Sequence, residues 1–213
     1  MISVPERGIY LASRSPRRRE LLAQIGVRFH LLLFRARPGE PTEVDETPLA
    51  GELAAAYVER LARAKAEAGW RRMAQRNLPR APVLSADTTV ALDARIFGKP
   101  RNREEAAAML KEFSGKTHEV LTAVAIKDDD WIQSALSRSE VRFKLLPAAE
   151  IAEYVESGES DDKAGAYAIQ GRAARFVMEL RGSYSGVMGL PLYETAELLD
   201  KLAGRKNAGR NPH

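Results

Sequence analysis

Residues 82–93 read PVLSADTTVALD. Through this stretch the side chains are apolar, small or β-branched, the make-up of a strand buried on both faces. Asp87 interrupts the run. An unpaired ionised carboxylate is very costly to bury, so Asp87 is expected to face water, a cation or a substrate. Outward from this strand, residues 9–12 form a short apolar strand. Ser15 and Pro16 then mark a helix start, and Gly26 marks its end. Residues 27–34 read as a strand, 37–51 as an acidic, proline-containing loop, and 52–76 as a long amphipathic helix. Helices are expected at 103–113, 148–156 and 192–202, and strands at 120–127, 131–145 and 175–180. Strands and helices alternate, but the acidic turn at 128–130 joins two consecutive strands. The pattern predicts an α/β fold with a mixed sheet and flanking helices.

The chain has 213 residues, no cysteine and three histidines, one of them the last residue. Disulfides, thiolate metal sites and cysteine nucleophiles are excluded. A metal would be held by oxygen ligands, which favours Mg²⁺ or Mn²⁺. No apolar run approaches the ~20 residues needed to span a bilayer, and the N-terminus does not read as a signal peptide. The expected location is the cytoplasm, without membrane association. The formal net charge is +4, but Arg205, Lys206 and Arg210 lie in a polar tail. The nearly neutral remainder argues against a nucleic-acid partner. One domain is expected over residues 1–204, followed by a disordered basic tail at 205–213.

Two stretches suggest phosphate chemistry. Gly115-Lys116-Thr117 resembles the end of a P-loop, but Leu110 stands where that signature needs glycine, and a strand follows where it needs a helix. Gly115 reads better as a helix C-cap. In LASRSPRRRELL, by contrast, Arg17, Arg18 and Arg19 fall in the first helical turn. That end already carries partial positive charge and free N–H groups. Three cations there oppose the helix dipole unless an anion such as phosphate occupies the site, where Arg forks grip oxygens in pairs. A solvated basic surface is the plainer alternative. Helical spacing forbids all three from pointing one way, and Arg19 is expected to face solvent.

Lys65, Lys99 and Gln170 are weaker candidates. Each has an ordinary explanation: a helix-surface charge, a loop charge before Pro100, and a turn residue. A glutamine between glycine-rich stretches could also read a base edge.

Taken together, LASRSPRRRELLAQIG, SADTTVALD, GKP, SGKTHEVLTAVAI and DDKAGAYAIQGRAARFVMELRGSYSGVMGLPLYET resemble the Maf family of nucleoside triphosphate pyrophosphatases. The resemblance implies a Maf/ITPase-like fold: a mixed, strongly twisted sheet and two lobes around a central cleft. It implies hydrolysis of a nucleoside triphosphate to the monophosphate and diphosphate, a divalent metal, and a homodimer. It implies Asp87 as the catalytic acid and metal ligand. Arg17, Thr88 and Gln170 would bear on substrate choice, and Ser13, Arg18, Lys65 and Lys99 would line the cleft. GAYAIQGRAARF and GSYSGVMGLPLYET look like the branch acting on dTTP and UTP. The family also places an acid after the strand that follows the first helix. Here that region, LLLFRARPGEPTEVDETP, is long, and Glu40, Glu43, Asp45 and Glu46 compete for the role.

On this reading Asp87 activates water or holds the metal, Arg17 and Arg18 neutralise phosphate charge, and Lys65 and Lys99 add to it. Competing readings are a pyrophosphatase for 7-methyl-GTP or another modified nucleotide, and a non-catalytic nucleotide-binding regulator of cell division.

Overall fold

A computed structural model describes residues 8–33 and 44–208. Its centre is the expected strand, β3 (Val83–Leu92), and its architecture follows from what borders that strand on each edge. On one edge lies β1 (Ile9–Leu11), parallel to β3, with β2 (Phe29–Leu31) parallel to β1 beyond it. On the other edge β5 (Thr117–Asp128), β6 (Trp131–Phe143) and β7 (Val177–Arg181) follow in antiparallel order. A short strand, β4 (Arg95–Phe97), folds back on the end of β3. The described residues thus form one seven-stranded mixed sheet, ordered β2-β1-β3-β5-β6-β7 with β4 paired to β3.

Helices cover both faces. α1 (Pro16–Gln24) packs Leu21 and Leu22 with Ile9, Leu11, Leu84 and Ala86. α6 (Leu192–Ala208) adds Leu198, Leu199 and Leu202 to the same cluster. α2 (Ala54–Gln75) packs Val58, Leu61, Ala62 and Ala66 with Ala91, Leu121, Ala123 and Ala125. Side chains alternate across a strand, so Leu84 and Ala86 point to the α1 face, and Ser85, Asp87 and Ala91 to the α2 face. The connection leaving β1 runs through α1 on one face, and the connection leaving the neighbouring β2 runs through α2 on the other. Such a reversal opens a crevice beyond the carboxyl end of the strand, where ligands of open α/β sheets bind.

Farther along the α1 face of β3 a second cluster begins. Val90 and Leu92 pack with Phe113 of α3 (Arg103–Phe113), Tyr154 of α4 (Ala148–Glu156), and Phe143 and Phe176. Between the two clusters lies a polar step, Thr88, paired across the sheet with Thr122, which is itself paired with Ser137. α5 (Tyr184–Met188) rests on this step. His118 is buried in the second cluster, stacked on Phe113, and shares a 2.8 Å hydrogen bond through Nε2 with the Tyr167 hydroxyl. Burial pushes its pKa down to about 3, so it stays neutral.

The α2 seam is tight at Gly69, where an added Cβ would lie 2.7 Å from Val83 Cγ1 and 3.2 Å from Ala12 Cβ. Gly69→Ala should gain roughly 1 kcal/mol of helix propensity but lose ~1–3 kcal/mol to overpacking. We expect a net loss of stability in urea unfolding; an equal or higher midpoint would show slack in the seam.

The expected elements and the structure differ in places. β2 is shorter than residues 27–34, because it pairs only with the three-residue β1. β7 begins at Val177, since residues 172–176 form a 3-10 turn. β4 and α5 were not foreseen. The closing helix passes residue 202 to Ala208, into the segment expected as a tail. Gly115, with φ +71, follows α3, and Thr117 begins β5, as the rejection of a P-loop requires.

Candidate active site

β1 stops short of β3. The last Cα pair is Leu11 with Leu84, after which Ala12 N donates to Leu84 O. The next carbonyl on that edge of β3 belongs to Ala86, and no strand residue is left to meet it. Arg18 fills the gap, with Nη1 donating to Ala86 O at 2.7 Å. The same guanidinium donates from Nε to Gly189 O at 2.7 Å and from Nη2 to Thr88 Oγ1 at 3.2 Å. Arg17 Nε donates to Met188 O at 3.3 Å. Both arginines therefore grip the carbonyl end of α5, where a helix presents partial negative charge. Arg19 makes no such contact among the described residues.

α5 is fixed in turn by hydroxyls. Ser183 caps it by accepting from Gly186 N at 2.9 Å, and Ser183 N donates to Ser139 Oγ at 3.0 Å. The Thr122 hydroxyl lies 2.7 Å from Gly186 O and 3.0 Å from Thr88 Oγ1. A hydroxyl has one proton. If Thr122 gives its proton to the shorter bond, Thr88 donates to Thr122 while accepting from Arg18. Thr88 thus belongs to the joint that anchors Arg18.

The α1 helix itself fits an anion site. Ser15 caps it by accepting from Arg18 N at 3.5 Å, Pro16 opens it, and its first turn holds no acid. α3, by contrast, carries Glu104 and Glu105 in its first turn. Burial pushes the Arg18 pKa down, Asp87 draws it back up, and Arg17 lowers it again. Arginine remains protonated under such shifts.

On the opposite face of β3, Asp87 meets α2. Lys65 Nζ lies 2.6 Å from Asp87 Oδ1 and 2.7 Å from Glu46 Oε1, so one ammonium bridges two carboxylates. The Asp87 side chain is 12 % exposed and that of Glu46 is 52 % exposed. Asp87 opens on the crevice without being free in it. Of the loop's acids among the described residues, Glu46 reaches Lys65, whereas Asp45 Oδ1 accepts from Thr47 N at 2.9 Å within its own turn. Glu40 and Glu43 lie outside the described residues.

The Glu46 segment is held by α2. Tyr57 donates to Glu46 O at 2.9 Å, and Arg60 Nη2 donates to Thr47 O at 3.1 Å. Arg60 also grips both oxygens of Glu52 at 2.7 Å and holds that carboxyl down at about 2. Burial alone would raise the Glu46 pKa. Attraction to Lys65 and its hydrogen bond, with Lys99 and Arg18 behind, outweigh this and hold the pKa below the ordinary value. Glu46 is thus kept ionised.

The remaining expected residues stand in varied relation to this centre. Ser13 is buried just past β1, where its hydroxyl accepts from Ser15 N at 3.2 Å and shapes the entry to α1. Lys99 is exposed, and its charge reaches Glu46. Gln170 is exposed at the corner of a turn closed by Gly171 N donating to Ala168 O at 3.0 Å. No hydrogen bond joins its side chain to Asp87, Lys65 or the arginines. Among the described residues no cluster of three or more His, Cys, Asp or Glu side chains could hold a metal, and no helix is long and apolar enough to cross a membrane.

The Maf-like protein family model matches residues 8–202. A dTTP/UTP pyrophosphatase from Aromatoleum aromaticum is 60% identical over 193 residues, covering 90% of this chain and 94% of that protein. One from Nitrosomonas europaea is 53% identical over 201 residues, 94% of this chain and 97% of its own length. A third, from Dechloromonas aromatica, is 56% identical over 197 residues, 92% and 98% respectively. With the family model matching nearly the whole chain, the chain belongs to the Maf family.

Proposed function

We propose that this protein hydrolyses dTTP and UTP to the nucleoside monophosphate and diphosphate. The observation that carries the reading is the nearness of the Asp87–Lys65–Glu46 bridge to Arg18, which feels both carboxylates and is bonded to Ala86 O next to Asp87. The likeness to relatives named dTTP/UTP pyrophosphatase supports the choice of base.

In this reaction a water oxygen bonds to the α-phosphorus, and the α–β bridging bond breaks with its electron pair going to diphosphate. Asp87 orients the water and accepts its proton. Arg17 and Arg18 lie where phosphate charge develops, and a fixed cation there lowers the barrier without reorganisation. Lys65 holds Asp87 and Glu46 aligned. Asp87 and Glu46 suit Mg²⁺ or Mn²⁺, which typically take one or two carboxylates plus substrate phosphates. An ammonium already bridges them, so the spot attracts a cation. When bound, the ion would neutralise phosphate charge and polarise the reacting phosphoryl group. Gln170, exposed near glycine-rich turns, is the residue we assign to the pyrimidine edge.

The test is release of diphosphate from dTTP, UTP, CTP and 7-methyl-GTP with Mg²⁺ and with Mn²⁺. We expect turnover of dTTP and UTP well above the others. Preference for 7-methyl-GTP would move the protein to another substrate branch, and binding without hydrolysis would make it a regulator.

A further inference from the structure

Residues 44–53, which lead into α2, form neither helix nor strand. Backbone groups in such a segment ordinarily turn to water. Here side chains take them. Tyr57 donates to Glu46 O at 2.9 Å, and Arg60 donates to Thr47 O at 3.1 Å from Nη2 and to Asp45 O at 3.5 Å from Nη1. The three carbonyls are consecutive and centred on the acid that reaches Lys65. Leu49 N donates to Glu52 Oε2 at 3.0 Å, and Arg60 holds that carboxylate from Nε and Nη2 at 2.7 Å each. The Arg60 Cζ lies 5.6 Å from the centroid of the Tyr57 ring, so the two side chains act as one clamp. Val44 packs against the cluster that contains Tyr57, Val58 and Leu61.

The clamp stands on the same helix as Lys65. At the helical rise, Arg60 and Tyr57 lie roughly 8 and 12 Å along α2 from Lys65. One rigid element thus carries both the grips on the loop and the ammonium that meets Asp87 and Glu46. Glu46 is fixed at its backbone and free to turn at its side chain. Its carbonyl is gripped by Tyr57, whereas its half-exposed carboxylate pairs, among the described residues, with Lys65. Such a carboxylate can swing from the ammonium to an ion or a water without moving its Cα. Burial first, then the charges of Asp87 and Glu46, push the Tyr57 hydroxyl up to about 12, so it stays a donor to Glu46 O.

We propose that Tyr57 and Arg60 are positioning residues for the hydrolysis, holding the backbone of residues 45–47 so that the Glu46 carboxylate is presented beside Asp87. This rests on the proposed triphosphate hydrolysis with Glu46 in its site. Neither side chain touches the reacting atoms. Both act through Glu46, and a displacement of about 1 Å in such a group can cost about 10²-fold in rate.

The test is a double-mutant cycle on dTTP hydrolysis at saturating Mn²⁺, with Tyr57→Phe and Arg60→Ala made alone and together with Glu46→Gln. Alone, Tyr57→Phe loses one hydrogen bond and should lower kcat roughly 3- to 10-fold. Arg60→Ala should lower it roughly 10- to 100-fold, with the KM for dTTP within about twofold of the parent. Arg60→Lys should recover part of the loss, because an ammonium can meet Glu52 or a carbonyl but lacks the fork. In the Glu46→Gln background, Tyr57→Phe should change kcat by less than about twofold, since the group it positions is gone. The urea midpoint should fall equally in both backgrounds. Hydrogen exchange across residues 44–52 should quicken in Arg60→Ala. Equal kcat losses with and without the Glu46 carboxylate would make the clamp structural only and overturn the proposal, as would an unchanged kcat in folded Arg60→Ala. If wild type hydrolysed neither dTTP nor UTP, the parent reading would fail instead, and unchanged exchange in Arg60→Ala would show separately that Arg60 does not hold the loop.

Discussion

Asp87→Asn is expected to lower kcat for dTTP by about 10²- to 10⁴-fold, the range over which a positioned acid–base group contributes, with little change in folding. Asparagine has nearly the same shape, and its Oδ1 can still accept from Lys65 Nζ, which lies 2.6 Å from the aspartate oxygen. The cross-strand pair with Ala123 is made by backbone and is untouched. The expected signature is an unchanged thermal midpoint and circular dichroism spectrum beside an almost complete loss of diphosphate release. A variant hydrolysing dTTP at near the parental rate would remove Asp87 from the chemistry.

The second large effect concerns stability. Arg18→Ala removes three hydrogen bonds at once, to Ala86 O, Gly189 O and Thr88 Oγ1. A buried polar group left unpaired costs ~1–3 kcal/mol, so we expect a loss of about 2–5 kcal/mol in chemical denaturation, together with lost activity. Arg18→Lys should recover only part of either, because an ammonium cannot serve three acceptors with the geometry of a guanidinium fork. Arg17→Ala, which loses one 3.3 Å bond, should be far milder in stability. If Arg18→Ala unfolded at the parental midpoint, Arg18 would not be the joint between β3 and α5.

How much of this was legible in sequence depended on how local the cause was. β3, α3 and α4 match the expected bounds, since composition, periodicity and flanking breakers specify them within a few residues. The mixed sheet followed from one hairpin, with Asp129 taking φ +56° at the turn. β4 went unread because it is three residues long and follows two residues, Asp93 and Ala94, with positive φ. α5 has five residues, one of them Gly186, and no apolar stripe; hydroxyls from Ser139 and Thr122 hold it instead.

Asp87 stood out as the one charge in a buried strand, and Arg17 and Arg18 stood out against the helix dipole. The placing of Glu46 beside Lys65 did not, because it is made by Tyr57 and Arg60 of α2 gripping the loop from a distance.

The most direct measurement is a crystal structure with a non-hydrolysable dUTP analogue, bridged by nitrogen between the α- and β-phosphorus, and Mn²⁺. Our account predicts Asp87 and Glu46 turned to the ion or to a water in line with the α-phosphorus, and the phosphates beside Arg17 at the start of α1. A complex in which Asp87 keeps its bond to Lys65 while the phosphates lie outside the crevice at the end of β1 would contradict it.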